Sequence, residues 1–226
     1  LPRDLDRKIK NVSTATAEEN LERLRAEADN LVSVRVLFAT QPREAGISKK
    51  KPEVFEVEVG GITSVQERLE YAISLLGKRV SVGEVFKPGD VIDVVAVTKG
   101  KGFQGPVKRF GIKILTRKAR KVKRKPGSLG PWNPAAKMYT VPSAGQMGFH
   151  RRTIYRVKIL DIRRAEETTE AENLSFPRYG VVKSDYMILK GSVPGPAKRL
   201  IRMRHTVRPL VTVQPPPKIV EIDWGW

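Results

Sequence analysis

The feature that most constrains this chain is a long stretch without acidic residues. Between Val94 and Leu160 there is no Asp or Glu, whereas Lys and Arg occur 17 times. The whole chain of 226 residues has a formal net charge of +19, so nearly all of the excess positive charge lies in this stretch. Such a density of like charge repels itself and needs counter-charge to become ordered. We therefore expect this stretch, the basic block (residues 94–160), to bind a polyanion, above all RNA, while the rest of the chain holds it.

Composition limits the classes of protein that the rest of the chain can form. With 40% hydrophobic residues the chain can bury one large core or two small ones. No apolar run approaches the roughly 18 residues of a membrane-spanning helix, and no secretory signal is visible, so we expect an intracellular protein without a membrane partner. The chain has no Cys, which excludes disulfides and thiolate metal sites.

The first part of the chain predicts helices that alternate with strands. Capping-box patterns begin at Thr16 and Ser64, and the second one introduces an apolar stripe that ends before Gly77. Alternation of apolar and polar residues predicts strands at 32–38 and 55–59.

From residue 78 onward the pattern changes to short strands separated by turns. Strands are predicted at 80–86, 91–97, 153–162, 179–190, 198–204, 207–213 and 219–223. Strands of this length and spacing are typical of a β-barrel or a β-sandwich. We expect a mainly β fold with helices. Its predicted divisions are 1–98 (helices and the first part of a barrel), 99–152 (a basic extension) and 153–226 (the remaining strands and a tail).

Three glycines, Gly100, Gly102 and Gly105, form a Gly-x-Gly-x-x-Gly pattern directly after a predicted strand. A dinucleotide site would also need an acidic residue about 20 positions further on, but the next acid after Asp93 is Asp161. A kinase glycine loop would need His-Arg-Asp and Asp-Phe-Gly motifs, which are absent. We therefore expect no catalytic residue, no cofactor and no small-molecule substrate. The glycines instead bring the backbone close to phosphates of a polymer.

The predicted nucleic-acid contacts are the cations of the extension and one aromatic side chain. Cations that neutralise phosphates release counterions, so affinity should fall steeply with salt. Trp132 is framed by Pro131 and Pro134, and it either stacks on an unpaired base or anchors the loop against its own stem. We predict no metal site. The predicted RNA-binding residues are Lys99, Lys101, Lys108, Arg109, Lys113, Arg117, Lys118, Arg120, Lys121, Lys123, Arg124, Lys125, Trp132, Lys137, His150, Arg151 and Arg152.

Four motifs, in order along the chain, resemble the large ribosomal subunit protein three family (uL-three) of archaeal and eukaryotic type. They are Asp93-Val94-Val95-Ala96-Val97-Thr98-Lys99-Gly100-Lys101-Gly102-Phe103-Gln104-Gly105, Lys108-Arg109-Phe110-Gly111, Gly130-Pro131-Trp132-Asn133-Pro134-Ala135 and Ala144-Gly145-Gln146-Met147-Gly148-Phe149-His150-Arg151-Arg152-Thr153. The resemblance extends to the helix at 64–76 and to the strands near Tyr186. It therefore covers nearly all of the chain.

The resemblance implies a translation-protein-type β-barrel with a helical insertion and a long basic extension. In the family this extension reaches through large-subunit ribosomal RNA toward the peptidyl-transferase centre, and Trp132 matches the residue at its tip. The resemblance also implies a non-enzymatic, cytoplasmic component of the ribosome that supports subunit assembly and contacts neighbouring ribosomal proteins. The residues alone leave open a free nucleic-acid-binding factor or RNA chaperone.

The sequence departs from the family pattern in two places. Family members usually begin with a further basic arm and the first barrel segments, so the start at Leu1 rather than Met predicts that an N-terminal part is missing. In eukaryotic members a His, sometimes methylated, follows the aromatic residue matched by Phe110. Gly111 stands there in this chain, so that modification is not expected and the archaeal type is favoured.

Overall fold

A computed structural model of the chain describes residues 4–10, 16–61, 64–119, 122–164, 175–208 and 218–220. The described part is mainly β with a few helices, as the sequence predicts. The strands are β1 Arg35–Ala39, β2 Val54–Glu58, β3 Val91–Val97, β4 Phe103–Gln104, β5 Gly145–Gln146, β6 Arg151–Arg163, β7 Ser175–Phe176, β8 Gly180–Val181, β9 Tyr186–Leu189 and β10 Arg202–His205. The α-helices are α1 Ala17–Ala26, α2 Val65–Leu75, α3 Val82–Val85 and α4 Pro106–Phe110, and 3-10 turns lie at Leu5–Arg7 and Ala28–Asn30.

The chain divides into two compact units. Unit 1 comprises Leu1–Val91, Lys158–Lys190 and Leu210–Trp226, and unit 2 comprises Ile92–Val157 and Gly191–Pro209. Unit 2 contains most of the basic block together with a second, later segment of the chain. Most of the excess positive charge and the candidate site therefore lie in unit 2.

Unit 1 is organised around one apolar cluster. In this cluster, Val34, Val36 and Val59 from the β1 and β2 region pack with Leu69 and Ala72 of α2. β1 pairs antiparallel with β2, and β7 pairs with β8. The alternation of apolar residues in the first two strands and the i, i+3 spacing in α2 place the apolar side chains on one face of each element, as the sequence predicts. These apolar faces form the cluster.

The helices α1 and α2 begin after Thr16 and Ser64, as their sequence patterns predict. The capping hydrogen bonds themselves were wrongly predicted, because neither side chain caps its helix. The hydroxyl of Thr16 instead accepts a hydrogen bond from Asn20 Nδ2 at 3.4 Å. The end of α2 is as predicted, because Gly77 follows its last turn with φ at +74°.

The strand predicted at 80–86 is wrong, because helix α3 occupies this segment. The Ser81 hydroxyl donates to Glu84 Oε1 at 3.1 Å, and the Phe86 amide donates to the Val82 carbonyl. Ser-x-x-Glu is a helix-start pattern, and the local hydrogen bonds that it brings outweigh the β-propensity of the valines.

Strand β3 is the centre of the sheet in unit 2. β10 pairs antiparallel with one side of β3, and β6 lies on its other side. Ile92, Asp93 and Val94 of β3 have no exposed surface. The strand predicted at 91–97 is therefore confirmed, and its buried residues show that both of its faces are covered.

Several later strands are shorter than predicted. The segment 179–190 forms β8 and β9 rather than one strand, and the segment 198–204 becomes a strand only at Arg202. Residues 207–208 and 219–220 lie in no strand, and the remainder of 207–213 and of 219–223 lies outside the described residues. The strands that the structure describes form no closed barrel. Among the described residues, no helix is long and apolar enough to cross a membrane.

Candidate nucleic-acid interface

The two limbs of the extension are paired at their base by main-chain hydrogen bonds. β4 runs antiparallel to β5. The Thr98 amide donates to the His150 carbonyl at 2.9 Å, and the Lys101 amide donates to the Met147 carbonyl at 2.9 Å. The glycine-rich segment at 100–105 is thus one side of a hydrogen-bonded stem at the base of the extension.

Gly148 is required by the geometry of this stem. Its φ is +73°, a conformation that L residues rarely adopt. A Cβ at this position would also overlap the Lys99 carbonyl oxygen and lie 3.1 Å from the Lys101 amide nitrogen. Glycine is therefore the residue that lets the two limbs approach each other here.

Arg109, predicted as an RNA contact, is bonded to the protein itself. Its Nη1 donates to the Ser143 carbonyl at 2.9 Å, and its Nε donates to the Gln146 carbonyl at 3.1 Å. Its guanidinium also lies 4.9 Å from the centre of the Phe110 ring. A Cβ on Gly145 would lie 3.0 Å from Nη1, so this glycine leaves room for the guanidinium. Arg109 fastens the outgoing limb to the returning one.

Most of the other predicted contacts are exposed to solvent. His150 is half-buried in the stem, and Arg120 and Lys121 lie outside the described residues. The Lys137 ammonium donates to the Ser143 hydroxyl. The exposed predicted residues are Lys99, Lys101, Lys108, Lys113, Arg117, Lys118, Lys123, Arg124, Lys125, Trp132, Lys137, Arg151 and Arg152.

Trp132 is 91% exposed. The interpretation as an anchor against the loop's own stem required a buried indole, so this exposure favours the alternative in which the ring is available for stacking.

Within the basic run that precedes Trp132, the Leu115 amide donates to the Lys123 carbonyl at 3.0 Å. This hydrogen bond holds the two sides of the run together.

Unit 2 gathers more positive charge than the basic block alone. The segment 191–209 has no acidic residue and adds Lys198, Arg199, Arg202, Arg204 and Arg208. Unit 2 therefore contains 21 Lys and Arg residues and a single acid, whereas unit 1 is close to neutral with 22 basic and 23 acidic residues. The sequence-based prediction missed this segment, although a second stretch without acids, from 186 to 220, was a signal that could have revealed it.

The single acid of unit 2 is Asp93, which is fully buried. Its carboxylate accepts hydrogen bonds from the amides of Arg156 at 3.2 Å and Val207 at 3.1 Å. The Nε of Arg204 lies 3.5 Å away. Burial by itself would raise the pKa of Asp93. The amides of Val207 and Arg156, with Thr206 and Arg204, outweigh that effect and lower the pKa below its ordinary value.

Arg199 links the later segment to the stem. Its Nη1 donates to the Val97 carbonyl at 3.3 Å, and its guanidinium lies 5.7 Å from the centre of the Phe149 ring. The 191–209 segment is thereby attached next to the base of the extension within unit 2.

The described residues hold no group of three or more acidic or His residues that could bind a metal ion. A unit in which every exposed charge is positive, with an exposed Trp on an extension, is typical of nucleic-acid-binding proteins. A family model described as ribosomal protein L3 matches residues 5–223. The chain belongs to the ribosomal protein L3 family.

Curated relatives agree with this family. The large ribosomal subunit protein uL3 of Pyrobaculum calidifontis is 52% identical over 212 residues, which are 92% of this chain and 62% of that protein. That of Methanothermobacter thermautotrophicus is 50% identical over 194 residues, 84% of this chain and 57% of that protein. That of Methanocaldococcus jannaschii is 45% identical over 226 residues, 99% of this chain and 66% of that protein. The chain thus spans about three-fifths of the length of the relatives that it matches. The archaeal type that Gly111 favours is confirmed.

Proposed function

We propose that this chain is a structural, non-enzymatic constituent of the large ribosomal subunit in the cytoplasm. It binds large-subunit ribosomal RNA, supports subunit assembly and contacts neighbouring ribosomal proteins. The observation that carries the proposal is the separation of charge between the two units. Unit 2 has many Lys and Arg residues, and its single acidic residue, Asp93, is buried. The names of the curated relatives support the choice of RNA.

In the proposed mechanism the scaffold holds the extension at 99–152 in place, and the extension contacts the RNA. The hydrogen-bonded stem and the Arg109 contacts orient the extension. The cations between Lys113 and Lys125 neutralise phosphates and allow the segment to enter a crowded RNA interior. Trp132 stacks on an unpaired base near the peptidyl-transferase centre. In the whole protein, the strands at 1–98 and 153–226 belong to a translation-protein-type β-barrel.

Sedimentation of an extract of cells that make the protein tests the proposal. We expect the protein in stoichiometric amount with large subunits, and we expect it to stay there through a high-salt wash. A mainly free pool would contradict the proposal and favour a free nucleic-acid-binding factor or RNA chaperone. Saturable binding of a mononucleotide by the isolated chain would instead favour an enzyme that uses the glycines at 100–105.

A direct binding measurement complements the sedimentation. Replacing Lys123, Arg124 and Lys125 by Gln should lower the slope of log affinity against log salt for a large-subunit ribosomal RNA transcript by about 0.7–0.9 for each phosphate that is no longer neutralised. A matched control replaces Lys49, Lys50 and Lys51 of unit 1 by Gln. This control removes the same charge and should leave the slope unchanged. Equal slopes for the two variants would contradict the role of the basic run.

A further inference from the structure

The segment 191–209 brings arginines to the sheet face of unit 2, outside the extension. Arg204 lies on the edge strand β10, and its side chain is 54% exposed. Arg208 follows the end of that strand and is exposed. Arg156, from β6, donates through its Nε to the Arg208 carbonyl at 3.2 Å. These three arginines, here called the arginine face, come from segments more than 40 positions apart in the sequence and are joined by the fold.

One buried carboxylate holds the arginine face together. Asp93 accepts hydrogen bonds from the amides of Arg156 and Val207, and it pairs with Arg204. Arg156, whose amide donates to Asp93, has a φ of +59°, which is unusual for a residue within a strand. The arginine face has three guanidinium groups and one carboxylate, and unit 2 has no other acid, so the face keeps a net positive charge.

The side chain of Arg208 is held in place by an aromatic ring. Its guanidinium lies 5.0 Å from the centre of the Tyr155 ring, which is 46% exposed. The Arg208 amide also donates to the Thr206 hydroxyl at 3.2 Å. A guanidinium stacked on Tyr loses less freedom when it binds an anion, and its planar edge matches two phosphate oxygens.

We propose that the arginine face is a second RNA-binding surface, in which Arg208, supported by Tyr155, forms a bidentate contact with a backbone phosphate. Arg204 and Arg156 contribute adjacent positive charge. The surface rests on the proposed function, since it takes the same RNA as the extension. It differs in being built on the sheet, so it is in place before RNA binds and gives the extension a fixed starting point.

Binding of a large-subunit ribosomal RNA transcript to the full 226-residue chain, over a series of salt concentrations, tests this surface. Arg208→Gln should weaken binding roughly tenfold, as expected for one charged hydrogen-bonded contact, and should lower the salt slope by about 0.7–0.9. The matched control is Arg23→Gln in α1, an exposed Arg of unit 1, which should leave both quantities unchanged. Wild-type affinity and slope for Arg208→Gln would overturn the proposal.

A second variant separates the support from the contact. Tyr155→Leu removes the ring and keeps every charge, so we expect weaker binding with an unchanged salt slope. Affinity equal to that of the wild type would overturn the role of Tyr155. Thermal melting of each variant in the absence of RNA shows whether the fold is kept, and the slope is compared only among variants that melt like the wild type.

The outcomes also distinguish this proposal from the proposed function. If the wild-type chain does not bind the transcript, the proposed function fails. If the triple Gln variant of Lys123, Arg124 and Lys125 weakens binding but Arg208→Gln does not, RNA binding by the extension stands and only the second surface is rejected.

Discussion

A Cβ atom on Gly148 would overlap the carbonyl oxygen of Lys99 on the opposite limb of the extension. The Cβ would meet main-chain atoms of Lys99 and Lys101, so no flexible side chain can move to relieve the overlap. The Lys101 amide and the Met147 carbonyl also join the two limbs by a hydrogen bond. The base of the extension therefore requires glycine at position 148.

Gly148→Ala should therefore open the stem. We expect a loss of roughly 3 kcal/mol or more in the free energy of unfolding of unit 2, from backbone strain and overlap together. Hydrogen exchange at the Lys101 amide should become faster. The matched control is Gly102→Ala, because Gly102 has a similar φ of +68° and open space around its Cβ position. It should cost about 1 kcal/mol, and equal effects of the two substitutions would refute the role of the overlap.

Arg109 offers a test of positioning as opposed to charge. Arg109→Lys keeps the positive charge but cannot donate to the Ser143 and Gln146 carbonyls together, as the guanidinium does. We expect faster proteolysis of the extension and weaker RNA binding, with the salt slope kept. Lys108→Arg is the control, since Lys108 is the exposed neighbour in the same helix. Wild-type proteolysis of Arg109→Lys would show that Arg109 does not hold the limbs.

Asp93 should make the stability of unit 2 depend on pH. Its pKa is lowered in the folded state, so its stabilising effect is fully present above the ordinary value of about 3.9 and is lost as the pH falls through the folded value. Asp93→Asn should cost roughly 2–4 kcal/mol at pH 7. The difference from the wild type should shrink at pH 3.

Urea unfolding at the two pH values measures this difference. Asp6→Asn, at an exposed position of unit 1, should change the free energy of unfolding by no more than about 0.5 kcal/mol. A difference between Asp93→Asn and the wild type that is the same at both pH values would show that ionisation of Asp93 does not stabilise the fold.

The sequence predicts those parts of the fold whose cause is local. Strand β3 follows from the apolar run at 91–97, and the start of α2 follows from Ser64 and the stripe behind it. Helix α3 was mistaken for a strand because its valines conceal the pattern of Ser81 and Glu84. Strands that need a distant partner, such as β10, could be recognised only in part.

In the candidate site, too, the sequence predicts the features that have a local cause and misses those that depend on distant residues. The absence of acids predicts the extension, since this property is visible along the chain. The role of Arg109 depends on carbonyl groups 34 and 37 positions away, and Arg208 meets Tyr155 only because β10 and β6 flank the same strand. Charge counting finds cations, but only the fold shows which of them the protein uses itself.

Trp132 provides the last test, because its exposure separates stability from binding. With 91% of its surface exposed, Trp132→Ala should change the free energy of unfolding by no more than about 0.5 kcal/mol. Loss of stacking on one base should weaken binding to the RNA transcript by about 1–3 kcal/mol. Trp132→Phe should keep most of the affinity, and Tyr139→Ala, which removes another exposed aromatic ring of the extension, is the control.

Subunits that contain Trp132→Ala should assemble normally and show altered peptidyl transfer. Loss of incorporation would assign the tip to assembly, and unchanged RNA affinity would exclude stacking.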